Sequence, residues 1–364
     1  MPPGEQFVAA LEDAWRSGAA VLPLDPFAPA AVRERLVEVL RPDVGVDEDI
    51  ALVIATSGST GRPKGVELSH AALAASARAT MARIGAAETD RWLACLPWHH
   101  IGGLQVLLRA RMCATPLVIH DRFDVERVRA EREVSLVSLV PTQLVRLLDA
   151  GVDLSRFRAI LLGGAMAPAS LLERAAAAGA HVVTTYGMSE TSGGCVYDGV
   201  PLDDVAVRIG ADRRILLSGP MLMSRYRLAP ELTAAALSDG WFATSDVGAL
   251  DEAGRLVVQG RLDDVVVTGG ENVLTTEVAA VLDGHPGVSE VLVTGVDDEQ
   301  WGQRLVAVVV ARGQAPSLQD LRDWCRQRLP AAAAPRQLVL VGELPRLPSG
   351  KPDRLAIQSL AAGG

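Results

Sequence analysis

Thr56-Ser57-Gly58-Ser59-Thr60-Gly61-Arg62-Pro63-Lys64-Gly65 packs three glycines, four hydroxyls, a proline and two cations into ten residues. Ahead of it stands Ile50-Ala51-Leu52-Val53-Ile54-Ala55, an apolar run short enough to be a buried strand. Behind it, Ser69 offers an N-cap to an Ala-rich segment, His70 to Ile84, that stops at Gly85. The spacing predicts a strand, a donor-rich loop and a helix. Clusters of Gly, Ser and Thr are ordinarily plain surface loops. Here the N–H groups freed by glycine, the hydroxyls and Lys64 together suit phosphate oxygens. The common P-loop does not fit, because its Gly-Lys pair runs directly into Ser or Thr. Lys64 is followed by Gly65, and the other Gly-Lys, Gly350-Lys351, by Pro352.

The chain around this loop has 364 residues, 49% of them apolar, enough for a large core and more than one domain. A net charge of −9 with no polybasic block argues against a nucleic-acid partner. Cys95, Cys113, Cys195 and Cys325 form no Cys-x-x-Cys pair, which suits a reducing compartment without disulfides or structural zinc. Met-Pro-Pro-Gly-Glu at the start lacks the basic and apolar regions of a signal peptide. Alanine inflates the mean hydropathy of +0.22, and charges or prolines break every apolar run before bilayer length. The expectation is a cytoplasmic protein without membrane insertion.

Upstream, Gln6 to Ser17 and Ala30 to Leu40 read as amphipathic helices, with Ala19 to Asp25 a short strand between them. Downstream, strands at Pro116 to His120, Val134 to Val140, Ala159 to Gly164 and His181 to Thr185 alternate with helices at Asp124 to Glu133, Pro141 to Ala150 and Ala169 to Ala178. That βαβ spacing predicts an α/β fold of mostly parallel sheets flanked by helices, with functional loops at the carboxyl ends of the strands. From Val205 the pattern becomes more β-like. After Gly260-Arg261-Leu262 a compact α+β module begins, so the expected domains are 1–262 and 263–364.

Four further strings carry chemistry. In Tyr186-Gly187-Met188-Ser189-Glu190-Thr191 a flat ring can stack on a base, Glu190 can hold Mg²⁺ and Thr191 can donate to phosphate. In Thr244-Ser245-Asp246-Val247-Gly248 the carboxylate of Asp246 can accept both hydroxyls of a ribose. Pro348-Ser349-Gly350-Lys351-Pro352 puts a lysine on a loop ordered by prolines. In Trp98-His99-His100-Ile101-Gly102-Gly103 the two histidines would point to opposite faces of a strand, which does not suit a metal.

These strings, in order from Thr56 to Arg354, resemble the signatures of the adenylate-forming superfamily, which includes acyl-CoA synthetases, luciferases and peptide-synthetase adenylation domains. The resemblance implies a large N-terminal domain, here shortened at its start, and a small mobile C-terminal domain. It implies ATP, Mg²⁺ and coenzyme A: a carboxylate attacks the α-phosphate of ATP, pyrophosphate leaves, and a thiol then displaces AMP from the acyl-adenylate. By the same match Thr56, Ser57, Gly58, Ser59, Thr60, Gly61 and Lys64 surround the departing phosphates. Gly163, Gly164 and Ala165 form the adenine-contacting turn, and Thr185, Tyr186, Gly187 and Met188 belong to the nucleotide site. Glu190 takes Mg²⁺, Thr191 the α-phosphate, and Asp246 and Arg261 the ribose. Asp263 is the hinge, the Gly269-Gly270 turn meets the thiol, Lys351 bridges carboxylate and α-phosphate, and His100 lines the acyl pocket.

Gly260-Arg261-Leu262-Asp263-Asp264-Val265-Val266-Val267-Thr268-Gly269-Gly270-Glu271-Asn272-Val273 in a short chain resembles the o-succinylbenzoate–CoA ligases of actinobacterial menaquinone biosynthesis. Such a diacid needs a cation deep in the pocket for its spare carboxylate. Arg78, Arg109 and His100 each qualify. Two other readings stay open: a ligase for another carboxylic acid, and a nucleotide-binding protein without catalysis, against which Lys351 and Glu190 both stand in place. A homo-oligomer is also left open.

Overall fold

The computed structural model describes residues 1–57, 63–346 and 352–363. The chain divides into two compact units. One holds Met1–Arg208, Leu216–Ala243 and Leu250–Leu256; the other holds Ile209–Ile215, Thr244–Ala249 and Val257–Gly364.

The first unit begins with helices α1 (Glu5–Arg16) and α2 (Ala30–Leu40), followed by strands β1 (Ile50–Ser57) and β2 (Pro63–Ser69) and helix α3 (His70–Arg83). The strand expected over Ala19 to Asp25 shrinks to one bridge, Val21 against Leu52. Pro23 stands two residues on, and proline cannot extend a ladder. β1 and β2 pair antiparallel with Thr56 opposite Lys64, so a strand, not a helix, follows the donor-rich stretch. That corrects the expected strand–loop–helix order. β2 is the middle strand of three, flanked by β1 and by Arg225–Tyr226. Both of its faces are also buried, Val66 and Leu68 on one and Gly65 and Glu67 on the other. Val66-Glu67-Leu68-Ser69 alternates apolar and polar residues, but over only four positions ahead of the helix. The helix cap is as expected: Ser69 Oγ accepts from the Ala72 N–H at 3.1 Å.

Next come β3 (Trp92–Ala94), α4 (Ile101–Met112), β4 (Leu117–Ile119), α5 (Val125–Ala130), β5 (Leu136–Leu139), α6 (Pro141–Asp149), β6 (Ala159–Leu162), α7 (Ala169–Ala177), β7 (Val182–Met188), β8 (Gly193–Tyr197) and β9 (Val200–Pro201). They build a seven-stranded sheet in the order β4-β3-β5-β6-β7-β8-β9. The first five strands are parallel, β8 returns antiparallel to β7, and β9 turns back antiparallel to β8. Successive side chains of a strand face opposite ways, so the apolar runs fill two cores. Trp92, Leu136 and Leu161 join Leu73, Leu104 and Leu107 on one side. Leu93, Val137 and Ile160 meet Leu144, Leu147 and Leu171 on the other.

In the second unit, Val265–Thr268 and Glu271–Leu274 form a hairpin turned by Gly269 and Gly270, at φ 61° and 82°. Two successive positive φ values suit a two-residue hairpin turn and favour glycine. The sheet continues through Gly302–Ala311 to Val288–Asp298, with Gln337–Val341 parallel to Gly302–Ala311. Val278, Leu282, Leu305, Val309 and Leu321 pack its core. Among the described residues no helix is long and apolar enough to cross a membrane.

Candidate functional site

Three side chains from distant parts of the first unit converge at the end of the β1–β2 hairpin. Lys64 Nζ lies 2.9 Å from Glu190 Oε1 and donates to Tyr226 Oη at 2.9 Å. Tyr226 Oη donates to Glu190 Oε1 at 2.8 Å, and the ammonium sits 4.2 Å from the centre of the tyrosine ring. Register explains the meeting: Tyr226 pairs with Val66, two residues from Lys64, while the Met223 N–H donates to the Glu190 carbonyl at 2.8 Å. Glu190 and Tyr226 are buried and Lys64 partly so. Burial, with the Glu190 charge and hydrogen bond added, pushes the Tyr226 phenol pKa up, which keeps its proton available to Glu190. Mg²⁺ is commonly held by one or two carboxylates together with substrate phosphates. A single buried carboxylate beside a lysine fits that donor set.

The turn that carries Glu190, Ser189–Thr191, links β7 to β8 and is fixed from several sides. Thr191 Oγ1 accepts from the Met188 N–H at 2.9 Å and donates to the Gly193 carbonyl at 2.7 Å. Thr191 is fully buried, so a phosphate contact would require its hydroxyl to leave that carbonyl. Ser192, in the left-handed region at φ 52°, offers its carbonyl to Ser76 Oγ at 3.0 Å and Gln105 Nε2 at 2.7 Å. Gly187 has no room for a side chain: a Cβ there would stand 2.1 Å from the Gly193 carbonyl oxygen. At Gly163 a Cβ would meet Thr185 Oγ1 at 2.2 Å, which brings the end of β6 against β7. Tyr186 and Met188 are half-buried on β7, while Gly164 and Ala165 are exposed beyond β6.

Behind β2 lies a charged network that the sequence did not announce. Glu67 accepts from Arg227 Nη1 at 2.9 Å and from Arg225 Nε at 2.7 Å. Arg227 also donates to the carbonyls of Leu40, Arg41 and Val44, tying the end of α2 to the hairpin. Glu67 and Arg227 are both buried.

The other expected residues fall into three groups. Gly58, Ser59, Thr60, Gly61 and Lys351 lie outside the described residues. Asp246, Arg261, Asp263, Gly269 and Gly270 belong to the second unit. There the Asp246 N–H is held by Thr244 Oγ1 at 3.0 Å, and Arg261, Asp263 and both glycines are exposed. In the first unit, Thr56 Oγ1 reaches the Lys64 carbonyl at 3.5 Å. His100 takes the N-cap position of α4 without its side chain capping, and its ring lies 4.3 Å from that of His99. Burial lowers the His99 pKa, and Asp25 opposes the shift. Of the three cations considered for a spare carboxylate, Arg78 and His100 are exposed and Arg109 is buried. Arg109 Nε has no hydrogen-bond partner, and no carboxylate among the described residues pairs with the guanidinium. Tyr226 is the residue that sequence reasoning missed, since nothing local connects it to Lys64 or Glu190.

Two family models match the chain: AMP-binding enzyme over residues 33–215 and AMP-binding enzyme C-terminal domain over residues 277–351. A Mycobacterium tuberculosis protein named probable 2-succinylbenzoate–CoA ligase is 43% identical, with 91% of this chain and 89% of that one covered. The o-succinylbenzoate CoA synthetase of Bacillus subtilis, solved with the acyl-adenylate intermediate, superposes with a TM-score of 0.87 at 28% identity, covering 98% of this chain and 86% of that one. The same B. subtilis enzyme with ATP and magnesium gives a TM-score of 0.78 at 31% identity, covering 95% and 80%. The chain belongs to the AMP-binding enzyme family.

Proposed function

We infer that this protein is an AMP-forming 2-succinylbenzoate–CoA ligase of menaquinone biosynthesis, using ATP, Mg²⁺ and coenzyme A. The carboxylate oxygen bonds to the α-phosphorus of ATP as the bond to pyrophosphate breaks. The coenzyme A sulfur then bonds to the acyl carbon, its proton is lost, and AMP departs. Two anions must approach in the first step, so cations and oriented donors are needed where charge develops. We assign Lys64 and the hairpin loop to the departing phosphates, Glu190 to Mg²⁺ and Lys351 to the carboxylate and α-phosphate. Mg²⁺, when bound, neutralises charge on the leaving pyrophosphate. Gly163 to Ala165 and Tyr186 are assigned to the adenine, Asp246 and Arg261 to the ribose. Asp263 serves as the hinge of a lid spanning 263–364 that brings the Gly269-Gly270 turn to the thiol, and His100 lines the acyl pocket. The reading sits well with a cytoplasmic chain whose four cysteines are free. It is compatible with a homo-oligomer.

For the spare carboxylate of the diacid we put forward Arg109, the buried one of the three cations. The Arg109 guanidinium lies 5.7 Å from the centre of the Trp92 ring and has no carboxylate partner among the described residues, and a bidentate carboxylate is the partner that suits a guanidinium best. The spare carboxylate of 2-succinylbenzoate would supply one. Arg109→Leu should raise KM for this diacid by about ten- to a hundredfold, the worth of a charged hydrogen bond. KM for a monocarboxylate lacking the spare group should change little. Coenzyme A-dependent AMP release measures both. Equal losses on the two acids would remove Arg109 from this role, and no turnover of the diacid by the unaltered protein would overturn the assignment.

A further inference from the structure

The Lys64–Glu190 pair poses a problem that the rest of the site must solve. Lys64 donates to Glu190, and a lysine that is to grip phosphates has to leave that carboxylate. With Lys64 as its sole partner, Glu190 would then be a buried carboxylate free to turn away. Tyr226 supplies the second contact, at 2.8 Å to the same oxygen. Its ring cannot follow the lysine. It is buried in the core, its strand pairs with β2, and its backbone N–H donates to Thr233 Oγ1 at 2.9 Å. A phenylalanine would fill the same space, so packing alone leaves the hydroxyl unexplained.

We propose that Tyr226 is a positioning residue of the nucleotide site, whose hydroxyl keeps Glu190 aimed at Mg²⁺ while Lys64 transfers from Glu190 to the phosphates. The proposal rests on the AMP-binding reading of the site and deepens it. The hydroxyl accepts from Lys64 before the transfer and donates to Glu190 throughout, so the carboxylate is never without a donor. No covalent bond changes.

The test is a binding experiment on the full chain without acid or coenzyme A. Titration calorimetry would compare Mg·ATP with ATP in excess chelator for the unaltered protein, Tyr226→Phe, Glu190→Gln and the double variant. Tyr226→Phe should weaken Mg·ATP binding about tenfold and leave metal-free ATP binding within about twofold. In the Glu190→Gln background the same substitution should add nothing, because the group it positions is already gone. The thermal melt should fall by only a few degrees, as for one lost hydrogen bond, since the ring is kept. Equal weakening of both nucleotide forms, additive losses in the double variant, or no change in Mg·ATP affinity would each overturn the proposal. Mg·ATP binding with the expected pattern but no turnover of 2-succinylbenzoate would sink the acid assignment and leave Tyr226 in its role.

Discussion

Gly163→Ala offers a test of the packing between β6 and β7 that can be reversed by a second substitution. An added Cβ would stand 2.2 Å from Thr185 Oγ1, more than an ångström inside ordinary contact. The Thr185 carbonyl oxygen, at 3.3 Å, and Thr185 Cβ, at 3.6 Å, are far less severe. The simplest escape is rotation of Thr185 about χ1. That gives up its 3.2 Å bond to the Leu162 carbonyl, about 1 kcal/mol, and forces a stiff β-branched side chain towards a poorer rotamer, about another 1 kcal/mol. The single variant should therefore lose about 2 kcal/mol, within the range for overpacking. Thr185→Ala alone should lose about 1 kcal/mol, for the hydrogen bond. The double variant should also lose only about 1 kcal/mol, because the clashing oxygen is gone, which leaves a coupling of about 2 kcal/mol. Urea unfolding followed by tryptophan fluorescence, with the slope unchanged, measures all three. Additive losses in the double variant would refute the reasoning.

Two further predictions concern buried charge. Glu67→Leu should destabilise the first unit by about 3–5 kcal/mol, because Arg227 stays buried without its carboxylate. Adding Arg227→Met should not restore stability, since the Leu40, Arg41 and Val44 carbonyls lose their donor; full recovery in urea unfolding would refute this. Burial tends to raise the Asp90 pKa, but Arg158, the Ala87 N–H and Ser135 outweigh it and hold the carboxyl below its ordinary value. Its stabilisation is present above the unfolded pKa of about 3.9 and disappears as pH falls through the lower folded value. Asp90→Asn should accordingly flatten the fall in stability below about pH 4, and parallel acid profiles for the two proteins would contradict it.

What could be read from the chain was what local spacing encodes. The parallel strand Ala159–Leu162 is a continuous apolar run and Leu136–Leu139 is broken only by Ser138, both at βαβ intervals, and the Ser69 cap is visible as a single residue before a helical pattern. β2 was not read from the chain, because its alternation, Val66-Glu67-Leu68-Ser69, spans only four residues between a Gly-, Ser- and Pro-rich stretch and a helix. Glu190 could be flagged as an oxygen ligand from its motif. The hydroxyl that holds it could not, since Tyr226 is 36 residues away and reaches it through a strand pairing. Arg109 shows the same limit from the other side. As a letter it was one of three cations, and only burial separates it from Arg78 and His100.

The hairpin at β1–β2 bears on how this protein can be inactivated. Where a loop runs straight into a helix, the field that attracts phosphate is spread over many peptide dipoles, and no point substitution abolishes it. Here the loop leads into a strand, and α3 begins only at His70. The cation at the strand's start, Lys64, is one ammonium group on a flexible stem. A single codon change can remove that charge while the sheet beneath stays intact. Loss-of-function variants that still fold and accumulate normally should therefore concentrate on such side chains, and destabilising ones on the glycine contacts and buried ion pairs behind them.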